Sequence, residues 1–286
     1  MYRYARPVIF GDHRMMLQPL GSHDLRLVAT LLTIVPQPSA LRWLHDAFGN
    51  SVAVASFNTP AAELRVESEI DLDHYETGEP DCPIAPDAET APLGYSTDQI
   101  PDLARSIERQ YPDPAGQVDL WARRFVNTKE HTDGLAMLTA MTHSIRDEGF
   151  QYFPRIAQGC QAPAQTLELR SGTCRDFALL MMEAVRSLGL AARFVSGYLY
   201  MPIDDNGPHV GGGSTHAWLQ VHLPGSGWME FDPTNGVVGN RDLIRVAVVR
   251  DPSQAAPIAG NWIGAGGDFL GMEVDVRVTS RPPNRY

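Results

Sequence analysis

Short runs in which apolar and polar side chains alternate dominate the first quarter of the chain. Between Tyr2 and about Tyr75 they read LRLVATLLTIVP, NSVAVASFN and AELRVESEIDLD, separated by Pro, Gly and Asn. In the second run Ala53, Ala55 and Phe57 alternate with Val52, Val54 and Ser56. In the third, Leu64, Val66, Ser68 and Ile70 alternate with Arg65, Glu67 and Glu69. A period of two sets each group on its own face of a strand, so residues 1–75 are predicted to form a small antiparallel β domain. The stretch that follows, ETGEPDCPIAPDAETAPLGYS at 76–96, is acidic and Pro-rich, which suits an extended linker.

Beyond it the period lengthens. TDQIPDLARSIERQ, VDLWARRFVN and TDGLAMLTAMTHSIRDE read as helices, the last with Leu135, Leu138, Met141 and Ile145 at three- to four-residue spacing and Thr132 as its N-cap. A fourth helix begins at or just before Cys174 and carries Phe177, Ala178, Met181, Val185 and Leu188 on one stripe, with Gly189 as its stop. Strand patterns then return in ARFVSGYLY, THAWLQVHL, GWMEFDPT, LIRVAVVR and GMEVDVRVTS. Residues 97–286 are thus expected to form an α+β domain.

Composition narrows the classes of function. Of 286 residues 43% are apolar, with 25 Gly and 22 Pro, as in a folded globular chain with many turns. Its 23 basic residues are scattered among 34 acidic ones, giving a net charge of −11. No basic stripe exists to displace counterions from phosphate, so nucleic acid is not an expected partner. No segment has the uninterrupted apolar length that a bilayer requires, and the first residues lack a secretory pattern, so no membrane partner and a cytoplasmic location are expected. Three cysteines, Cys82, Cys160 and Cys174, are too few and odd in number for a disulfide framework.

Cys174 follows the turn RSGT and opens an amphipathic helix. The unpaired N–H groups and partial positive charge at a helix start favour a thiolate, the nucleophilic form. A buried structural cysteine would fit the same local context. His216 begins the strand THAWLQVHL, where it shares a face with Trp218, Gln220 and His222. Trp228, Glu230 and Asp232 share a face of the next strand. With Pro224–Gly227 as a hairpin loop, residues pair when their numbers sum to 451, which sets His216 opposite Asn235, three positions past Asp232. An Asp there could fix the orientation of the imidazole, and the imidazole could pair with a thiolate. Taken singly, a strand His and an Asp before Pro have ordinary structural readings as well.

Together, GTCRDFALLMMEAVRSLGLAARFVSGYLY and STHAWLQVHLPGSGWMEFDPTNG resemble the transglutaminase-like core of bacterial cysteine-protease-type proteins, with Cys, His and Asp blocks in the family's order. YRYARPVIFGDHRMMLQP and the β-rich residues after it resemble the amino-terminal β domain that precedes this core in such proteins. The resemblance implies a papain-like α+β core behind a small antiparallel β domain. It also implies catalytic Cys174, His216 and Asp232, no metal or other cofactor, and thiol acyl-enzyme chemistry on a peptide or protein amide. Hydrolysis and transfer to an amine both remain open, as does a non-catalytic module of the same fold.

Among the neighbours, Asp176 is read as supporting the helix start and Gln165 as a candidate side-chain donor for an oxyanion, while Trp218 and Trp228 are candidates to line an acyl pocket. The run Gly211–Thr215 lacks the Lys of a phosphate loop, and the Cys and His spacings match no zinc pattern.

Overall fold

The computed structural model describes residues 1–75, 94–126, 133–153, 159–200 and 213–280. In chain order, the amino-terminal strands are β1 (Tyr2–Phe10), β2 (His13–Met15), β3 (Leu25–Val35), β4 (Ala40–His45), β5 (Ser51–Ser56) and β6 (Ala61–His74). Then follow α1 (Gln99–Ile107), α2 (Gln117–Arg123), α3 (Gly134–Asp147), β7 (Gln151–Tyr152), α4 (Pro163–Leu169), β8 (Ser171–Gly172), α5 (Cys174–Ser187) and β9 (Ala192–Leu199). The chain continues through β10 (His216–Leu223), β11 (Gly227–Asp232), β12 (Val237–Val238), β13 (Leu243–Val249), β14 (Ile258–Ala259), β15 (Trp262–Ile263) and β16 (Phe269–Met272). None of the described helices is long and apolar enough to cross a membrane.

The core is an antiparallel sheet in the order β12-β11-β10-β9-β13. Along α5, Cys174 and every residue from Asp176 to Arg186 are buried, so the expected single apolar stripe is only part of what it hides. Ala217, Leu219, Val221 and Leu223 of β10 and Phe194 of β9 share one apolar cluster with Phe177 to Met182 of α5. Val118 and Trp121 of α2 and Met137, Leu138 and Met141 of α3 belong to the same cluster, so helices cover the sides of α5 that the sheet leaves open. At the opening of α3 the N-cap is Asp133, whose carboxylate accepts from the N–H groups of Leu135 and Ala136. Thr132, the expected cap, lies outside the described residues, as does most of the expected linker.

The amino-terminal strands form two sheets, β14-β2-β5-β4 and one built on β15-β1-β6-β3 with β16 also on β1. Strand β5 is buried on both faces. Ala53 and Ala55 pack with Phe10, Met15 and Leu64, whereas Val52 and Val54 join the core around α5. The side chain of Asn50 ties this layer to β13, accepting from Val248 N at 2.8 Å and donating to Val248 O at 3.0 Å. The end of the chain returns to the same layer, with β14 on β2 and β15 and β16 on β1. Of the expected strand GMEVDVRVTS only Gly271–Met272 are strand, inside β16.

The β10–β11 hairpin is one position tighter than the loop chemistry predicts. Leu223 pairs with Gly227 and Leu219 with Phe231, so partners sum to 450 rather than 451. Gly225 and Gly227 adopt φ of 85° and 76°, which lets three residues close the turn. The shift matters because side chains alternate: an even sum brings the even-numbered residues of both strands onto one face, which an odd sum would have divided.

Candidate active site

The amino end of α5 is fixed by its own side chains. Thr173 donates from N and Oγ1 to Asp176 Oδ2 at 2.8 and 2.9 Å, and Gln161 N donates to Asp176 Oδ1 at 2.6 Å. Asp176 is fully buried and caps the helix start, consistent with the supporting part expected of it. Gly172 is required by close approach, since a Cβ there would lie 2.8 Å from Asp176 Cβ. The cap sets Cys174, 6% exposed, at the first helical position, where backbone N–H groups have no intrahelical acceptor.

His216 and Asp232 meet across the hairpin. Imidazole Nε2 lies 2.8 Å from Asp232 Oδ2, both side chains fully buried. The carboxylate also accepts from Asn235 Nδ2 at 2.8 Å and from Thr234 N at 2.9 Å. Burial alone would push the imidazole down. The charge and hydrogen bond of Asp232, with a smaller contribution from Cys174, outweigh it and raise the group from 6.5 to about 10. For Asp232, burial acts upward and is overcome by His216, Asn235 and Thr234, so the carboxyl is held below its ordinary value. Nδ1 of His216 is buried and makes no hydrogen bond of standard geometry. Cys174 is a further neighbour of this imidazole, its charge and hydrogen bond acting in the same direction as those of Asp232. The three residues singled out in the sequence are thus brought together.

Tyr152 belongs to the same cluster and carried no sequence signal. It sits on β7, whose parallel pairing with β8 sets Tyr152 beside Gly172, two residues before the cysteine. Burial first, and then the adjacent Cys174, push its hydroxyl up to about 12. The other candidates do not take the parts expected of them. Gln165 is exposed on α4, and the amide of Gln161 is engaged with Thr166 Oγ1 and Ser171 O. Trp218 is fully buried and stacks on the His216 ring with centroids 5.9 Å apart, so it supports the imidazole instead of lining an open pocket. Trp228, at the other end of β11, carries the Arg193 guanidinium 3.9 Å above its ring. Gly211 and Gly212 fall outside the described residues.

The family model of the transglutaminase-like superfamily core matches residues 121–233, and that of the bacterial transglutaminase-like N-terminal region matches residues 1–73. An uncharacterised protein of Mycobacterium leprae is 25% identical over 275 residues, covering 96% of this chain and 95% of that protein. A protein-glutamine gamma-glutamyltransferase of Pseudomonas aeruginosa is 30% identical over 115 residues, 39% of this chain and 17% of its own. The crystal structure of a protein from Cytophaga hutchinsonii, provisionally described as a cysteine protease, superposes with a TM-score of 0.66. It covers 100% of this chain and 90% of that one at 21% identity, which shows a shared fold. That fold is the papain-like α+β core of transglutaminase-like proteins, preceded by antiparallel β structure.

Proposed function

The chain belongs to the transglutaminase-like superfamily, and from that we propose that it is a cysteine-nucleophile enzyme acting on an amide of a peptide or protein through a thioester acyl-enzyme. The observation that carries this reading is the buried His216–Asp232 pair, 2.8 Å apart, beside a thiol at the start of α5. Cys174 is the nucleophile, His216 the acid and base, and Asp232 the group that orients the ring. The thiolate adds to the carbonyl carbon, and the resulting oxyanion lies near the backbone N–H groups at the helix start. When the C–N bond breaks, imidazolium gives its proton to the departing amine. Imidazole then takes a proton from water as it attacks the thioester, and the thiolate leaves.

Hydrolysis is the favoured outcome. Transfer to an amine uses the same acyl-enzyme and differs only in which nucleophile reaches it. The test is a panel of peptide amides, with and without glutamine, turned over in the presence of hydroxylamine. Formation of acid and hydroxamate by the full chain, both lost in Cys174→Ala, supports the reading, and the ratio of the two ranks hydrolysis against transfer. Turnover that survives in Cys174→Ala contradicts it.

A further inference from the structure

The even-numbered face of β10 and β11 connects the imidazole to the amino-terminal layer through an unbroken run of contacts. Trp218 stacks on His216, and its indole Nε1 donates to Glu230 Oε2 at 2.5 Å. The other carboxylate oxygen, Oε1, accepts from Gln220 Nε2 at 2.7 Å and from Arg245 Nη1 at 2.6 Å. Arg245 turns its second nitrogen away from the core and donates Nη2 to Asp24 Oδ1 at 2.5 Å and to Ser22 Oγ at 2.9 Å. Asp24 is itself fixed, taking Ser22 Oγ on Oδ1 and Asn240 Nδ2 on Oδ2. Glu230, Asp24 and Trp218 are all buried.

The sheet makes room for this run. Gly197 of β9 pairs with His216 on one side and Arg245 on the other, so the three stand in one row. A Cβ on Gly197 would lie 2.7 Å from the Trp218 ring and 2.1 Å from Ile244 O, so the empty position is where the indole rests. Glu230 could satisfy its charge with any cation, and Arg245 could reach solvent. Instead Glu230 accepts from Arg245, and Arg245 reaches on to a carboxylate contributed by the first 75 residues.

Resting on the proposed reading of Cys174 and His216, we infer that Asp24 is a positioning residue for the imidazole, acting through Arg245, Glu230 and Trp218. The amino-terminal layer is then part of the catalytic unit. An indole held at Nε1 presents a fixed plane for the His216 ring. Loosening Arg245 weakens the one cation bonded directly to Glu230 and leaves Arg193, which reaches it through Gln220; the carboxylate then shifts toward that side, taking the indole with it. The ring that aims at both Cys174 and Asp232 then loses one wall.

The experiment uses the full-length protein with two readouts: hydrolysis of 4-nitrophenyl acetate dependent on Cys174, and the titration of His216 followed by ¹⁵N NMR of its ring. Asp24→Asn is expected to lower kcat about two- to thirtyfold with little change in KM, the span of couplings carried by contiguous networks. It should also move the His216 titration down from its raised position, and Asp24→Glu should restore part of both. Trp218→Phe removes no charge, so the same downward movement there separates a mechanical relay from a simple field effect. The double variant should be no worse than the poorer single one. If Asp24→Asn cannot be purified folded, Ser22→Ala loosens the same Arg245 contact and takes its place. An unchanged His216 titration in a folded Asp24→Asn protein overturns the inference while Cys174-dependent turnover continues. Loss of Cys174 dependence in the unmodified chain overturns the reading beneath it.

Discussion

At Cys174, His216 and Asp232 the chemistry depends on burial as much as on identity. The imidazole stays protonated because a carboxylate that cannot reach water needs its charge, and the carboxylate stays ionised for the same reason. The signs follow directly. The raised His216 contributes stability fully below 6.5 and loses it as pH rises through about 10, whereas Asp232 contributes above 3.8 and loses it as pH falls through its depressed value. Asp232→Asn is expected to keep the fold, since Asn235 and Thr234 still find an acceptor, while turnover falls about 10⁴-fold as tautomer loss does in serine triads. Circular dichroism and steady-state kinetics check both halves. For Tyr152 the expected test is its own ionisation. In Cys174→Ala the ¹³C-labelled phenol should titrate closer to 10, because the influence that ranks after burial in holding it up is gone; an unmoved titration would show that hydroxyl and thiol are not neighbours. The three polar residues were legible in the sequence because each lies in a distinctive block. Tyr152 was not, since two residues of parallel pairing carry it to the site and a two-residue strand has no periodicity to read.

At the scale of elements, α5 decides where the thiol stands, and it is fixed at both ends. The Thr173–Asp176 cap holds the start. Near the end, Glu183 and Arg186 form a fully buried ion pair at 2.9 Å; Glu183 accepts from Gln110 and Tyr111 N, and Arg186 donates to the carbonyls of Ser106, Ala192 and Arg250. Glu183→Gln leaves Arg186 without its charge partner and is expected to cost about 3–5 kcal/mol, read as a lower denaturant midpoint, with Cys174 labelling in the folded fraction unchanged. A midpoint within experimental error of the unmodified protein would show that the pair adds nothing to the hold on α5. Helix α5 and four of the five strands of the core sheet were visible in hydrophobic period, β12 being too short to read; the burial of α5 beyond its apolar stripe was not, because its polar positions resemble a solvated face while their partners come from distant backbone and side chains. The hairpin register illustrates the opposite limit. Loop composition predicted the turn within one residue, and that one residue decides which side chains share a face; only the positive φ values of Gly225 and Gly227 settle it.

Over the whole molecule the amino-terminal strands and the core are one packed body, joined by the two-faced β5, by Asn50 on β13 and by the returning strands β14 to β16. The alternation of Val52 to Ala55 assigns the two sets to opposite faces of a strand; that each set enters a different core appears only in three dimensions. Charge ties the layers together as well. Arg245, Ser22 and Asn240 overcome the cost of burying Asp24 and hold its carboxyl far below its ordinary value, so its contribution is complete above 3.8 and lost as pH falls below that. The denaturant midpoint should therefore drop steeply below about pH 4, and less steeply in Asp24→Asn; equal slopes would mean that this carboxylate does not hold the layers.

The central claim, that Cys174 carries the acyl group with His216 as its partner, is tested most directly by acid-quenching the full-length protein during turnover of a peptide amide and mapping the adduct by mass spectrometry. The predicted result is one thioester on the peptide containing Cys174, absent in Cys174→Ala and formed far more slowly in His216→Ala. An adduct on Cys82 or Cys160, or one that forms at the same rate without His216, would contradict it.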